Sequence, residues 1–341
     1  MNAATRTARY RGLLVMLSAL GALAAVAAAP AQATYHGKNG PIAFQRFTGP
    51  QENAEIFSMS PTGRRAHRLT TGPGASFNPD FSPNGAQLAF ERRYGDGRPD
   101  AIFTVKSSGG RAKRVSSGCT GQCLGDAQPA WSPDGRQILF IRALGPVVHD
   151  DATELDLMVM NRDGSDQRLI RRIGGIVDGF GPGAEGKAEL SPDGRKISVT
   201  LVTQGGDPRR SDSAVYVMNA DGSDLSPITP AKLHGGNPDW SPNGRLLVFH
   251  SNNYHFGEPS EIWVVKPNGT GLRRLRRLHS GRDYQPVWSP DGRQLLVGCH
   301  DRRTSFEHLC VVEADGRGVR TTIDDETFVN FPAWGSRQPE G

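Results

Sequence analysis

The sequence predicts an all-β protein, a six-bladed β-propeller of four-stranded blades. Three observations predict it: a turn motif that recurs about every fifty residues, a four-strand pattern around each copy, and an incomplete blade at each end of the chain. The 341 residues include 42 Gly and 24 Pro. This composition favours many short strands joined by turns over a helical bundle.

The repeated motif is Ser-Pro, then Asp or Asn, then Gly. It begins at Ser82, Ser132, Ser191, Ser241 and Ser289. The residue before it is Phe81, Trp131, Leu190, Trp240 or Trp288, and Trp334 marks a sixth, degenerate copy. Proline presets φ and glycine accepts the left-handed conformation, so the motif predicts a hairpin turn. We interpret its carboxylates as turn formers and the aromatic residue as packing between blades.

Each copy of the motif lies within the same four-strand pattern. A short strand precedes it and a second follows, as in Gln137–Ile141. A third strand such as Val215–Met218 runs into the turn Asn219–Gly222, and a fourth strand closes the unit. Four strands in about fifty residues are typical of a propeller blade. A solenoid is the alternative, but its repeats are usually shorter and helical or single-stranded.

The two ends of the chain predict how the ring closes. Residues 41–70 contain a second, third and fourth strand but no first strand, whereas residues 331–334 are a first strand with nothing after it. Joined, they make one blade, so the blade count is six. Closure removes the exposed strand edges that an open stack would leave.

The N-terminal residues 1–33 are predicted to be a secretory signal peptide. Three arginines precede an apolar run, Gly12–Ala29, and Ala31-Gln32-Ala33 is a cleavage site, so we expect one propeller domain at 34–341. An uncleaved membrane anchor is the alternative. No second apolar run reaches spanning length. We expect a monomer that is secreted or located in the periplasm or cell envelope.

The positive charge of the chain gives no reason to expect nucleic acid as a partner. Removal of the signal takes away three arginines and no acidic residue, which lowers the net charge from +5 to +2. One basic cluster remains, comprising Arg273, Arg274, Arg276 and Arg277. A nucleic-acid interface needs more than one such cluster, and arginines on an edge strand are typical protection against edge-to-edge pairing.

The chain has four cysteines, which can pair in an exported protein in three ways. Cys119 and Cys123 flank a short loop, and Cys299 and Cys310 lie near the facing ends of two predicted strands. We therefore favour the pairs Cys119–Cys123 and Cys299–Cys310. A metal site at the first pair is the alternative, weakened by the lack of a nearby histidine.

The repeat resembles the PD40 (WD40-like) repeat of TolB-family propellers. Residues 129–140, 215–222 and 238–249 carry the match, and the resemblance covers nearly all of the predicted mature chain. It implies a six-bladed fold, but the same repeat serves many functions. We expect this chain to lack the α/β domain that precedes the propeller in TolB, and the serine-peptidase domain that follows related propellers.

A polar residue recurs three positions before the aromatic or leucine of the first strand. Its occupants are Asn78, Gln128, Lys187, Asn237 and Gln285, and Asp126 and Asp283 lie two residues further upstream in their blades. We expect these side chains at the entrance of the innermost strands, near the mouth of a central channel, where they could bind a polar ligand. A water-filled channel lined by polar groups is the alternative.

Three histidines raise the question of a divalent metal. His234, His250 and His300 fall in or beside predicted variable loops on one face of the propeller. Convergence of these side chains would suit a metal-assisted lyase or hydrolase that acts on a polar polymer. Common catalytic motifs are missing from the sequence. We therefore favour a non-catalytic module without a cofactor that binds protein, peptide or glycan through the variable loops.

Overall fold

The computed structural model describes residues 37–48, 53–145, 154–174, 187–203, 212–251, 260–275, 282–300, 307–318, 320–323 and 329–337. These residues form 24 β-strands in six four-stranded sheets, together with one 3₁₀ turn, Ala231–Leu233. The predicted all-β, six-bladed propeller is confirmed. Within these ranges, no helix has the length and apolar character needed to cross a bilayer.

The first three blades in chain order are formed as follows, each written from its innermost strand outward. Blade 1 comprises β24 (Val329–Ser336), β1 (Asn39–Phe47), β2 (Ala54–Met59) and β3 (His67–Arg68). Blade 2 comprises β4 (Ala75–Phe81), β5 (Gln87–Arg93), β6 (Ala101–Lys106) and β7 (Lys113–Arg114). Blade 3 comprises β8 (Cys123–Trp131), β9 (Gln137–Leu144), β10 (Glu154–Asn161) and β11 (Arg168–Gly174).

The remaining three blades follow the same order. Blade 4 comprises β12 (Glu189–Leu190), β13 (Lys196–Thr203), β14 (Asp212–Asn219) and β15 (Ser226–Pro227). Blade 5 comprises β16 (Gly235–Trp240), β17 (Leu247–Ser251), β18 (Ile262–Val265) and β19 (Arg273–Arg274). Blade 6 comprises β20 (Arg282–Trp288), β21 (Gln294–His300), β22 (Glu307–Glu313) and β23 (Arg320–Ile323).

The ring closes through blade 1, as predicted. Strand β24 pairs antiparallel with β1, with Trp334 opposite Ile42 and Ala333 opposite Ala43. The Ser336 hydroxyl donates a hydrogen bond to the carbonyl of Pro83 in blade 2. The last strand therefore joins the first strands of the chain and also contacts the next blade.

The repeated motif is a self-contained turn. In the copy at Ser132, the Asp134 carboxylate accepts hydrogen bonds from the Ser132 hydroxyl at 2.6 Å and from the Arg136 amide at 3.0 Å. Gly135 has a φ of 67°, a conformation that glycine adopts without steric cost. The motif carboxylate stabilises its own turn, as the sequence indicates.

The aromatic residue before the motif packs between blades. Trp131 contacts a cluster that includes Ala89 and Ile102 of blade 2 and Phe140 of its own blade. Trp240 and Trp334 are similarly buried. Each burial removes a large apolar side chain from water and joins neighbouring sheets.

Both predicted disulfides are present. Cys119 bonds to Cys123 in the connector that leads into β8, and Cys299 bonds to Cys310 across the β21–β22 pair. The sulfurs of the first pair lie near a carboxylate oxygen of Asp126, but sulfurs in a disulfide are not thiolate ligands. Two disulfides are typical of a protein in an oxidising compartment.

Candidate functional site

A cavity of about 480 Å³, including its part open to solvent, lies where the innermost strands of the blades meet. Its lining comprises Asn78, Pro79, Gln128, Lys187, Glu189, Asn237, Pro238, Asp239, Gln285, Pro286, Val287, Phe331 and Pro332. All six blades contribute at least one of these residues. The innermost strands of a propeller face its axis, so this cavity is the described part of the central channel.

In five of the six blades an unusual backbone conformation turns one side chain toward this cavity. Five lining residues have a left-handed backbone with φ between 47° and 53°: Asn78, Gln128, Asn237, Gln285 and Phe331. This region is uncommon for residues other than glycine, with asparagine among the most tolerant. A left-handed residue at the same position in five blades is a repeated structural device, and such positions often mark functional sites.

The left-handed residues coincide with irregularities in strand pairing. In blade 2 the register of β4 with β5 shifts between Phe77 and Asp80, and blades 3, 5 and 6 shift at the corresponding place. A bulge of this kind bends the strand and re-aims a side chain. We expected the polar ring at the strand entrance; in these blades it lies inside the strand, because the bulge breaks the alternating pattern that marks a strand in sequence.

A lysine spans from blade 4 to blade 2 across the cavity wall. The Lys187 ammonium lies 2.8 Å from Asp80 Oδ1 and 2.6 Å from Glu189 Oε1. Burial disfavours its charge, but these two carboxylates outweigh burial and raise the pKa of Lys187. Blade 3 has the small Ala130 at the position equivalent to Asp80 and Glu189, and Ala130 lines a smaller cavity beside them. Lys187 therefore stays protonated, and its positive charge is balanced by Asp80 and Glu189.

Two carboxyl groups adjoin this lysine. Burial, reinforced by the charge of Glu189 and a hydrogen bond with it, raises the pKa of Asp239 well above its ordinary value. Asp239 Oδ2 accepts the backbone N–H of Trp288 in blade 6 at 2.6 Å. Asp80 accepts the Trp131 amide of blade 3 in the same way at 2.7 Å. Asp80 thus joins blade 2 to blade 3, and Asp239 joins blade 5 to blade 6.

A third buried carboxylate, that of Glu91, forms hydrogen bonds with two of the left-handed residues that line the cavity. Glu91 on β5 is fully buried and accepts hydrogen bonds from the Asn78 side-chain amide at 2.9 Å and from the Gln128 backbone at 3.3 Å. The guanidinium of Arg93 donates to its other oxygen at 2.8 Å. Glu91 therefore orients two neighbouring ring residues, which makes the mouth of the channel preorganised.

The structure brings together the five recurring polar residues of the sequence analysis but places both upstream aspartates elsewhere. Asp126 is fully buried and pairs with the Arg142 guanidinium at 2.7 Å within blade 3. Asp283 lies in β20 opposite Cys299 and is not among the lining residues. Both fall outside the cavity because strand alternation points them into the blade before the bulge resets the direction.

Sequence reasoning missed several residues that complete the site, among them Phe331, Asp80 and Asp239. Phe331 is the sixth member of the ring, three positions before Trp334, and it escaped notice because it is apolar. Asp80 and Asp239 lie two residues after Asn78 and Asn237, in the shared pattern Asn-Pro-Asp. That shared tripeptide was the available signal.

The histidines take separate positions. His234 follows the 3₁₀ turn with a φ of 46°, and His250 lies in β17 opposite Gly236. The side chain of His300 lies outside the described residues. Among the described side chains, no histidine joins a group of three metal-ligating atoms. Metal binding stays an untested alternative.

Burial of His250 makes the stability sensitive to acid. Burial lowers its pKa to about 4, against 6.5 for a free histidine, despite a hydrogen bond with the Gly236 backbone. Between those two pH values the His250 imidazole is protonated in the unfolded chain and neutral in the folded protein. The free energy of unfolding is therefore unaffected by titration of His250 above pH 6.5. It falls by about 3 kcal/mol as the pH is lowered toward 4.

The test compares urea unfolding at pH 7 and pH 4.5 for the wild type and His250→Leu. The acid-induced loss of stability should be smaller in the variant, because leucine binds no proton. Other buried titratable groups, including Asp239, contribute equally in both proteins and cancel in the comparison. Equal losses in the two proteins would show that His250 does not titrate as described.

Comparisons with known proteins place this fold. The propeller of TolB from Acinetobacter baumannii superposes with a TM-score of 0.69 at 18% identity, covering 87% of this chain and 67% of that one. An oligogalacturonate lyase in complex with manganese superposes with a TM-score of 0.56 at 16% identity, covering 85% and 76%. Such low identities establish a shared TolB-like propeller fold and nothing further.

Curated relatives match shorter stretches. TolB of Anaeromyxobacter dehalogenans is 30% identical over 97 residues, which are 28% of this chain and 21% of that protein. The uncharacterized peptidase YuxL of Bacillus subtilis is 31% identical over 111 residues, 32% of this chain and 16% of its own. The chain thus spans about a fifth or less of these relatives. No family model matches, so the PD40 pattern stays a resemblance.

Proposed function

We propose that this TolB-like propeller is an exported, non-catalytic module that binds a protein or peptide segment at the mouth of its central channel. The observation that carries the proposal is the ring of left-handed residues, whose side chains share one cavity. Backbone strain at five equivalent positions costs stability. Presentation of these side chains to a ligand would account for that cost.

The chemistry of the ring favours a polypeptide. Four lining residues have side-chain amides, and an amide can both donate and accept hydrogen bonds, as a peptide backbone does. The ring of prolines and Phe331 adds apolar surface for side chains. Because Lys187 is neutralised by Asp80 and Glu189, the described lining of the mouth lacks the free positive charge that a polyanion would need. A neutral glycan is the alternative ligand.

Export rests on separate observations. The basic, apolar and small-residue segments of 1–33 support a signal peptide, and the two disulfides support folding in an oxidising compartment. The alternative of a metal-assisted lyase or hydrolase stays untested by the described residues.

The test removes a ring side chain without changing the backbone. Glycine adopts the left-handed conformation freely, so the variant Asn237→Gly should fold normally, whereas Gln285 is kept because its Oε1 accepts the backbone N–H of Phe331 at 2.7 Å. The Asn237→Gly protein should capture about fivefold less of its ligand from cell-envelope extract or culture supernatant, since a lost hydrogen bond contributes about 1 kcal/mol. Quantitative mass spectrometry of the captured proteins provides the measurement.

Asp224→Gly is the matched control. Asp224 also has a left-handed backbone, with a φ of 55°, but it lies in the turn between the third and fourth strands of blade 4, away from the cavity lining. This variant should capture as much as the wild type. Equal capture by all three proteins, or capture of nothing by the wild type, would count against the proposal.

A further inference from the structure

Blade 3 has an unusually long outer strand. β11 runs for seven residues, Arg168–Gly174, and ends its sheet with β10 as its neighbour. The outer strands β3, β7 and β15 have two residues each, and the structure describes the chain that leaves them. Blade 3 therefore presents an extended strand edge where blades 1, 2 and 4 do not.

A single side chain explains where the outer strand ends. In blades 1, 2 and 4 a hydroxyl two residues beyond the strand accepts the hydrogen bond from an amide of the third strand, at 2.9 Å in each case. The hydroxyls belong to Thr70, Ser116 and Thr229. The equivalent residue in blade 3 is Arg171, which has no acceptor. There the backbone itself continues the pairing, with Arg171 opposite Leu157, as far as Gly174 opposite Leu155.

The chemistry of this edge is basic and partly apolar. The strand contains Arg168, Arg171 and Arg172 and no acidic residue. Leu169 is 50% exposed, and it is the one large hydrophobic side chain classed as exposed among the described residues. Arg172 is paired with acids of β10, but the guanidinium of Arg171 donates to the carbonyl of Gly222, which is not a carboxylate.

We infer that the β11 edge of blade 3 is a docking site for an extended acidic segment of another protein, which adds a fifth strand to the blade. An exposed edge offers unpaired backbone groups to an incoming strand. The turn of blade 4 approaches the Ile170 carbonyl, so the added strand pairs chiefly with the extension at 171–174. Acidic side chains on the partner complement the arginines.

A second copy of this chain fits the edge poorly. Antiparallel self-pairing of this extension centred on Arg171 or on Arg172 places that arginine opposite itself. Like charges directly opposite each other destabilise paired strands. Charge complementarity therefore selects an acidic partner over self-association.

The test uses a blocked nine-residue peptide of alternating Glu and Val, with a Lys and Val peptide as its counterpart. Hydrogen exchange of the full-length protein, measured by mass spectrometry, should slow several-fold at residues 168–174 when the Glu peptide is added and should not slow when the Lys peptide is added.

The double variant Arg168→Glu with Arg171→Glu should bind the Glu peptide about fivefold or more weakly, since exposed ion pairs contribute up to about 1 kcal/mol each. Arg171→Thr supplies the missing hydroxyl, so it should shorten the strand and abolish the protection while retaining the melting temperature.

Arg136→Glu is the matched control, because Arg136 also lies 4.0 Å from a neighbouring aspartate, as Arg168 does, but in a turn of the same blade. This variant should bind like the wild type. Equal protection by the Lys peptide, or no protection at 168–174, would overturn the inference. Protection that appears without peptide and grows with protein concentration would also overturn it, in favour of self-pairing.

Discussion

Truncation after residue 328 should abolish cooperative folding of the propeller. It removes β24, the innermost strand of blade 1, and with it Trp334, which is 2% exposed, and the buried Ala333. Loss of one such buried aromatic costs about 3–5 kcal/mol. The truncation also exposes the whole inner edge of β1, so the total rivals the 5–15 kcal/mol stability of a typical domain.

Circular dichroism and urea titration measure this effect. Removal of residues 338–341 alone is the matched control, because it leaves β24 and Arg337 in place. That shorter deletion should retain the wild-type midpoint and slope. A protein truncated after 328 that kept the full melting temperature would contradict closure of the ring through the C-terminal strand.

Asp80→Ala should destabilise the protein by about 3–5 kcal/mol, the usual cost of breaking a buried ion pair. Asp80 is 4% exposed, and its two oxygens separately bind the Lys187 ammonium and the Trp131 amide. The variant leaves a buried N–H without its acceptor and removes one of the two carboxylates that neutralise Lys187. Both losses fall at the contact between blades 2, 3 and 4.

Two companion variants separate these contributions. Asp80→Asn keeps an oxygen for the Trp131 amide and should recover part of the loss. Asp134→Ala alters an aspartate in an exposed turn and should cost about 1 kcal/mol or less. Urea midpoints at constant slope provide the measurement. An Asp80→Ala loss as small as that of Asp134→Ala would mean that the lysine bridge contributes little to the ring.

The architecture was predictable because short sequence motifs determine the turns and strands that repeat in each blade. Pro133 and Gly135 specify a hairpin turn by their own backbone preferences, and the recurrence of this turn counts the blades. The half-blades at the two ends predicted the β24–β1 pairing. The position of the polar ring followed too, since Asn78 and its equivalents hold a constant distance from the repeat.

The site itself depends on contacts that no local pattern carries. Lys187 and Asp80 are 107 residues apart and meet only because the ring brings blades 2 and 4 around the small Ala130. The left-handed backbone at Gln128 is imposed by the bulge, against the preference of that residue type. The length of β11 depends on Arg171, which stands where other blades have a hydroxyl. This substitution can be recognised only after the blades have been aligned.

Photo-crosslinking tests most directly whether a ligand enters the channel mouth. Phe331 lines the cavity with an aromatic ring, so p-benzoylphenylalanine fits in its place, and Arg65 in a turn between the outer strands of blade 1 is the comparison position. Irradiation in the producing cells should give a discrete protein adduct from position 331 and none from position 65. An adduct from position 65 alone, or none from position 331, would contradict binding at the channel mouth.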